Sequence, residues 1–482
     1  METLQRLHNR GSISTGYDID NSCKFEDDND EYLYRTNASG TNRKTWTVSW
    51  WFKQTEVPST RSSYVEHWQG GVYGEATRAG VDSSDRLWID VGGGDGNTGT
   101  LFRSLSTARL RDTSAWYHVV IACDSTQSTE ADRLKVWLNG VEVTSWDQHQ
   151  IPTLNFQSAL QGTGGVVMKW GSYDATYNGY SGYLAECNYV DGVTATQNDF
   201  GEFDEDSDIW KPKKYTGSYG TNGSYLDFEI ASDLGANAKG NDTNFSLNNI
   251  TAADQATDTP TNNFCTFNAL IPGAGTISEG ATKFTNSVGN GWKSAVATMG
   301  AGTSGKWYAE FKFPTTASNN FIGQCPIDDP DLNRGEAGFA YYGSDTSLDE
   351  STGVYSNDGN RYIGGGAASY GVSYGTGDIM AIAIDMDNGK FYVAKNNTWM
   401  NSGDPTSGAT GTGALDVRGA TKPQSLGSSQ YSANASMLCN FGGYTTISIS
   451  SAASDADGYG TFEYAPPSGY YALCTKNLEE YG

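Results

Sequence analysis

Two stretches carry the strongest local instruction in this chain. "RLKVWLNGVEV" (133–143) and "IMAIAIDMDNGKFYVAK" (379–395) each run an apolar or alternating segment into Asn-Gly and out again into another. Asn-Gly tolerates φ > 0 at consecutive positions, so each stretch should fold into a hairpin of antiparallel strands. Leu134 to Leu138 should pair with Val141 to Val143 about Asn139-Gly140, and the second hairpin should close at Asn388-Gly389.

The rest of the chain repeats this logic. "TWTVSWWFK", "RLWIDVG", "WYHVVIACD" and "GYLAECNYVDG" alternate at period two and end in Gly, Asn or Asp clusters, as strands of an antiparallel sandwich do. With 59 Gly, 29 Tyr, 18 Phe and 13 Trp and only 18% charged residues, the composition favours short strands and glycine turns over long helices. A length of 482 residues calls for more than one domain. The expected fold is all-β: two antiparallel β-sandwiches joined by a loop-rich connector. Residues 1–20 read as an N-terminal arm in which only Leu4 and Leu7 share a helical face, 21–200 as the first sandwich, 201–261 as the connector and 262–482 as the second sandwich. In "GKWYAEFKF" (305–313), Trp307, Ala309, Phe311 and Phe313 should point into the second core, with Tyr308, Glu310 and Lys312 facing outwards.

The first series resembles laminin-G-like, concanavalin A-like jelly rolls: the Trp-x-His strand "WYHVVIACD", the "RLKVWLNGVEV" hairpin and the returning "GYLAECNYVDGV" follow that order over residues 21–200. The second resembles the SPRY (B30.2-like) sandwich. Its marks are Gly305-Lys306-Trp307-Tyr308 with Glu310, Tyr374-Gly375 before Gly377-Asp378, "DMDNGKFYVAK" (385–395) and "NFGG", with a long insertion at "CPIDDPDLNRGE". The pair with its connector resembles fibre-like and virion-associated proteins of tailed bacteriophages. That resemblance implies a virion localisation after assembly in the host cytoplasm, other virion proteins as partners, and a homo-oligomer, a trimer by analogy with fibres. The start "METLQRLHNRGSIS" has no signal-peptide core and no segment has membrane-spanning length, so no membrane insertion is expected. A formal charge of −25 argues against nucleic acid as a partner.

Chemical motifs are sparse. Seven scattered cysteines without a CxxC pair argue against a disulfide framework or zinc site. "EFDED" (202–206) carries acids at period two as some jelly-roll glycosidases do, but its surroundings read as a turn or short helix. The histidines His8, His67, His118 and His149 accompany no Gly-x-Ser-x-Gly elbow, and His118 reads as a structural strand residue. No catalytic residue is therefore assigned and the chain is read as a non-enzyme. "DIDNSCKFEDDNDE" and "GGGDGNTG" offer oxygen ligands outside the EF-hand pattern; the laminin-G resemblance admits one structural calcium, and no other cofactor is expected.

Carbohydrate recognition uses aromatic faces and a few polar groups, and loops on a rigid sandwich suit it. "GSYDATYNGYSGY" and "RYIGGGAASYGVSYGTG" supply Tyr173, Tyr177, Tyr180, Tyr362, Tyr370 and Tyr374 as binding candidates; Tyr183 begins a strand and belongs to the core. The bland alternative is that these rings pack between loops or in a subunit interface. The expected function is a non-enzymatic virion component, a tail fibre, appendage or capsid decoration, presenting loops to a host-surface receptor or glycan. A secreted or surface bacterial lectin and a jelly-roll glycan-cleaving enzyme are the alternatives.

Overall fold

The computed structural model describes residues 16–37, 42–56, 62–68, 76–93, 99–159, 167–172, 179–240, 243–270, 275–287, 291–315, 319–328, 350–363 and 366–482. It is a nearly all-β chain of antiparallel sheets, and the compact units divide between Thr261 and Asn262.

In the first unit, the strand Thr45–Gln54 lies at the middle of a sheet ordered Val141–Glu142, Leu134–Leu138, Tyr117–Asp124, Thr45–Gln54, Gly182–Asp191, Ser22–Phe25 and Gln255–Ala256. Its period-two pattern sends Trp46, Val48, Trp50 and Phe52 into a core shared with Leu33, Val65, Ile89, Met168 and Trp170 of the opposing sheet. That second sheet runs Trp146–His149, Leu101–Arg109, Arg86–Gly92, Ala76–Val81, Ser62–Trp68, Val167–Trp170, Tyr32–Thr36 and Ser246–Asn248. The hairpin at Asn139-Gly140 is the tight form: Leu138 pairs with Val141 and both turn residues have positive φ, 47° and 79°.

The outer face of the first sheet is covered as well. Trp51 and Ala185 pack with Trp210, and Val120, Ala122 and Val190 pack with Phe200, Tyr215 and Tyr219. Residues 201–261 thus lie within the first unit, contributing the strand Ser224–Leu226 beside Gly182–Asp191 and two buried carboxylates. Asp258 meets Lys53 at 2.7 Å, and Asp254 meets Lys24 at 2.9 Å.

The second unit faces a sheet ordered Thr276–Ser278, Lys283–Thr285, Ser436–Asn440, Lys306–Lys312, Ile379–Asp385, Lys390–Lys395 and Thr398–Trp399 against a second sheet. The latter runs Lys293–Val296, Gln424–Gln430, Asn320–Pro326, Thr352–Tyr355, Arg361–Ile363 and Gly366–Ala368. Trp307, Ala309, Phe311 and Phe313 enter the core with Ile322, Val354 and Leu426, in the phase expected from the alternation. The hairpin after Ile379–Asp385 closes differently from the first: Asp385 pairs with Lys390, Gly389 alone of the Asn-Gly pair has positive φ, and the Asp385 carboxylate accepts both Asn388 N–H (3.0 Å) and Asn388 Nδ2 (2.9 Å). An aspartate cap replaces the two-residue turn because the intervening loop is longer.

Tyr308 and Glu310 point away from that core but are not solvent-facing. Tyr308 packs edge-on against Phe462 at 4.9 Å in a layer with Tyr470 and Tyr392, and Glu310 is completely buried. Residues far downstream cover this face, a contact that alternation within one strand cannot reveal. Among the described residues no helix is long and apolar enough to cross a membrane.

Candidate functional site

The tyrosines named from the loops have three different fates. Tyr173 and Tyr177 lie outside the described residues. Tyr180, Tyr370 and Tyr374 are core residues, at 1%, 5% and 5% exposure. The Tyr180 hydroxyl donates to the Lys53 carbonyl at 2.6 Å and that of Tyr374 to the Val354 carbonyl at 2.8 Å, whereas the Tyr370 hydroxyl accepts from Val393 N–H at 3.2 Å. A buried phenol needs a polar partner, and main-chain groups of neighbouring strands supply one. These three rings are therefore pillars under the loops and offer no face to a ligand, which corrects the expectation for them.

Tyr362 is half-buried, and the structure surrounds it with aromatic residues that the loop reading missed. On the outer face of the six-stranded sheet, Phe321 forms the floor (1% exposed), with Tyr355 stacked at 4.7 Å, Tyr362 edge-on at 5.2 Å and Trp292 at 5.2 Å. Tyr431, 39% exposed, meets Trp292 at 5.5 Å. Register explains the gathering: Phe321 pairs with Tyr355 on one side and Ser429 on the other, and Tyr362 lies across from Gly353, one pleat along.

Amides border these rings. Asn357 Nδ2 donates to the Tyr355 hydroxyl (3.0 Å) and to Asn319 Oδ1 (3.1 Å), the Tyr355 hydroxyl donates to the same Asn319 oxygen, and Tyr431 N–H donates to the Asn319 carbonyl (3.1 Å). Half-exposed rings beside paired amides can stack on the C–H face of a sugar and hydrogen-bond its hydroxyls. A local signal existed: Tyr355 and Tyr362 flank "SNDGN", a turn motif that places both on one hairpin. Trp292 and Tyr431 had none, because only sheet pairing brings them near.

The other candidates resolve plainly. Glu202 is half exposed on the short strand Gly201–Phe203, and Asp204 beside it serves a turn, accepting from Asp206 N–H, Ser207 N–H and the Ser207 hydroxyl. Those donors and Lys211 hold the Asp204 carboxyl at about 2, so Asp204 is not an acid poised to give up a proton near neutrality. His118 is sandwiched between Trp51 (4.6 Å) and Trp210 (5.9 Å), and burial lowers its pKa to about 3. The Trp210 indole donates to Nδ1, which leaves the Nε2 proton for the Ser49 hydroxyl at 2.9 Å. All seven cysteines are buried and free. Among the described residues no three acid, His or Cys side chains form a metal site. In "DIDNSCKFEDDNDE" the Lys24 ammonium lies 2.9 Å from both Glu31 and Asp254, where a cation would otherwise neutralise them. Most of "GGGDGNTG" lies outside the described residues.

Residues 27–181 match the model of the concanavalin A-like lectin/glucanase superfamily, Laminin_G_3, in keeping with the laminin-G-like reading of the first sandwich. No curated protein matches the chain. Among solved structures, a putative carbohydrate-binding protein from Bacteroides ovatus is 16% identical (49% of this chain, 60% of that one, TM-score 0.31). Domains LG4-5 of the mouse laminin alpha1 chain are 10% identical (86% and 85%, TM-score 0.29), and the SPRY domain of human HERC1 is 15% identical (33% and 89%, TM-score 0.25). Likenesses of this size carry no further argument.

Proposed function

We propose that this chain is a non-enzymatic glycan-binding protein whose second sandwich holds sugar on the Trp292, Tyr355, Tyr362 and Tyr431 cluster. The observation that carries the reading is the meeting of half-exposed rings with the Asn319 and Asn357 amides on one sheet face. The superfamily match of the first sandwich supports the same ligand class. In the acidic hairpin Asp204, the carboxylate at period-two spacing from Glu202, is tied up by turn donors and Lys211, which favours binding over cleavage.

Within this reading the chain serves as a component of a tailed-phage virion, following the resemblance of its domain series, and meets a host-surface glycan. Copies in a homo-oligomer add weak sites into avidity. Any structural calcium would be an accessory to this role.

Glycan-array binding of the wild type should be lost about tenfold in Tyr362→Ala and Tyr431→Ala, the loss expected when a stacking ring of about 1–2 kcal/mol is removed. Thermal midpoints should stay near the wild-type value. Unchanged binding in both variants would refute the site. Release of reducing ends from host polysaccharide would refute the non-enzymatic reading, and absence of the chain from purified particles the virion one.

A further inference from the structure

Glu186 interrupts the strand Gly182–Asp191. The register to Thr45–Gln54 shifts between Ala185 and Asn188, and Glu186 itself has φ of 50°, the left-handed region that a non-glycine residue adopts at a bulge. The bulge turns its carboxyl towards two phenols from distant parts of the chain. Oε2 lies 2.9 Å from the Tyr17 hydroxyl, Oε1 lies 2.8 Å from the Tyr225 hydroxyl, and the hydroxyls are 2.9 Å from each other.

These three oxygen–oxygen contacts close a ring, and counting protons decides its state. With the carboxyl ionised, two phenol protons serve three contacts, so one contact joins oxygens with no proton between them. With the carboxyl neutral, three protons serve three contacts in one circular order: acid to Tyr17, Tyr17 to Tyr225, Tyr225 to the second acid oxygen. Moving a phenol proton onto the carboxyl would leave the count at two, and neither phenol ionises readily, since burial and the Glu186 charge hold both pKa values above the usual phenol range; the third proton comes from solvent.

We propose that Glu186, Tyr17 and Tyr225 form a proton-operated latch, which holds the segment 17–19 onto the first sheet while Glu186 is a neutral acid and loosens it when Glu186 ionises. Burial of Glu186 pushes its pKa up to about 7, the two phenol contacts pull it back, Asp227 raises it and Lys214 lowers it. Behind Tyr225 stands the stacked ring of Tyr219 at 6.1 Å, whose hydroxyl is taken by Asn188 at 2.7 Å. The same segment carries a second contact that opens with it, because Ile19 N–H donates to the Thr261 hydroxyl at 3.0 Å and the Ile19 carbonyl accepts from it at 3.0 Å.

Hydrogen exchange of the Ile19 amide in the full chain tests this, after correction for the intrinsic pH dependence of exchange. The opening constant should rise with pH, by at most about tenfold per pH unit, and level off above about 7. Glu186→Gln should keep the amide protected at every pH, since its amide N–H takes the place of the acid proton. Tyr17→Phe should leave it poorly protected at every pH. A ¹³C carboxyl titration of the wild type gives an independent readout and needs no variant. A Glu186 midpoint in the ordinary carboxylate range, or a pH dependence that survives in Glu186→Gln, would overturn the latch.

Discussion

Glu186 in the first unit and Glu310 in the second are both buried carboxyls on the outer side of a sheet, yet opposite kinds of donor surround them. Glu186 meets two phenols, whose protons can rotate to give or to accept. Glu310 meets mostly fixed donors: Glu463 N–H (2.9 Å) and Asn440 Nδ2 (3.2 Å) on Oε2, and Tyr464 N–H (2.8 Å) on Oε1, with a single phenol, the Tyr308 hydroxyl (3.2 Å), also on Oε1. Four donors satisfy an anion, and of the four only the Tyr308 hydroxyl could turn to accept an added acid proton. Burial raises the Glu310 pKa and the main-chain donors pull it down. Burial alone thus does not decide what a carboxyl does. One site is built to exchange a proton, the other to fasten residues 463–464 over the sheet.

Amide substitution should break or sustain this contrast most sharply. Glu310→Gln turns an NH₂ towards a main-chain N–H whichever way it is placed, and Asn440 cannot readily turn to accept because its Nδ2 also donates to the Thr461 carbonyl. A loss of about 3–5 kcal/mol in the urea transition of the second unit is expected from two spoiled buried hydrogen bonds. Glu186→Gln should leave the first unit at or above wild-type stability near pH 8. Equal losses at both positions would erase the distinction.

The next effect is the pH dependence of the first unit. The folded Glu186 pKa, about 7, lies above the ordinary 4.5, so the stabilisation from this group is fully present below pH 4.5 and is lost as pH rises through about 7. The shift corresponds to at most about 3 kcal/mol. Urea midpoints of the first-unit transition at pH 5 and pH 8 measure it, and the difference should vanish in Glu186→Gln. A first unit that gains stability over that window through Glu186 would carry the wrong sign.

Neither carboxyl could have been assigned from its own stretch of chain, and the reason is geometric. Alternation correctly oriented Trp307, Ala309, Phe311 and Phe313, and Asn139-Gly140 announced its turn, because period and turn chemistry are local. It left Tyr308 and Glu310 facing outwards, since the layer that covers them comes from residues such as Phe462 and Tyr470. Glu186 closes the Gly-x-x-Ala-Glu motif of "GYLAECNYVDG" that carries the laminin-G resemblance, but nothing there gave it a role, since a bulge leaves no trace in the apolar pattern. The aromatic site was half legible. Tyr362 lay in a loop rich in tyrosine, but Trp292 and Tyr431 join it only through strand pairing, and Tyr180, Tyr370 and Tyr374 are drawn inward by main-chain partners that the sequence does not display.

The smallest effect separates a donor from a relay. The Tyr308 hydroxyl is one of four donors to Glu310, so Tyr308→Phe removes a single hydrogen bond while the ring stays packed against Phe462. About 1 kcal/mol should be lost from the second unit, with no new pH dependence between 5 and 8. Tyr225→Phe removes a member of the proton ring at Glu186, and there the loss should depend on pH: greatest where the acid is neutral in the wild type, shrinking towards pH 8. Urea midpoints for the two variants at both pH values check the pair. A pH-independent loss in Tyr225→Phe would reduce Tyr225 to an ordinary donor like Tyr308, and the contrast between the two buried acids would then rest on the amide variants alone.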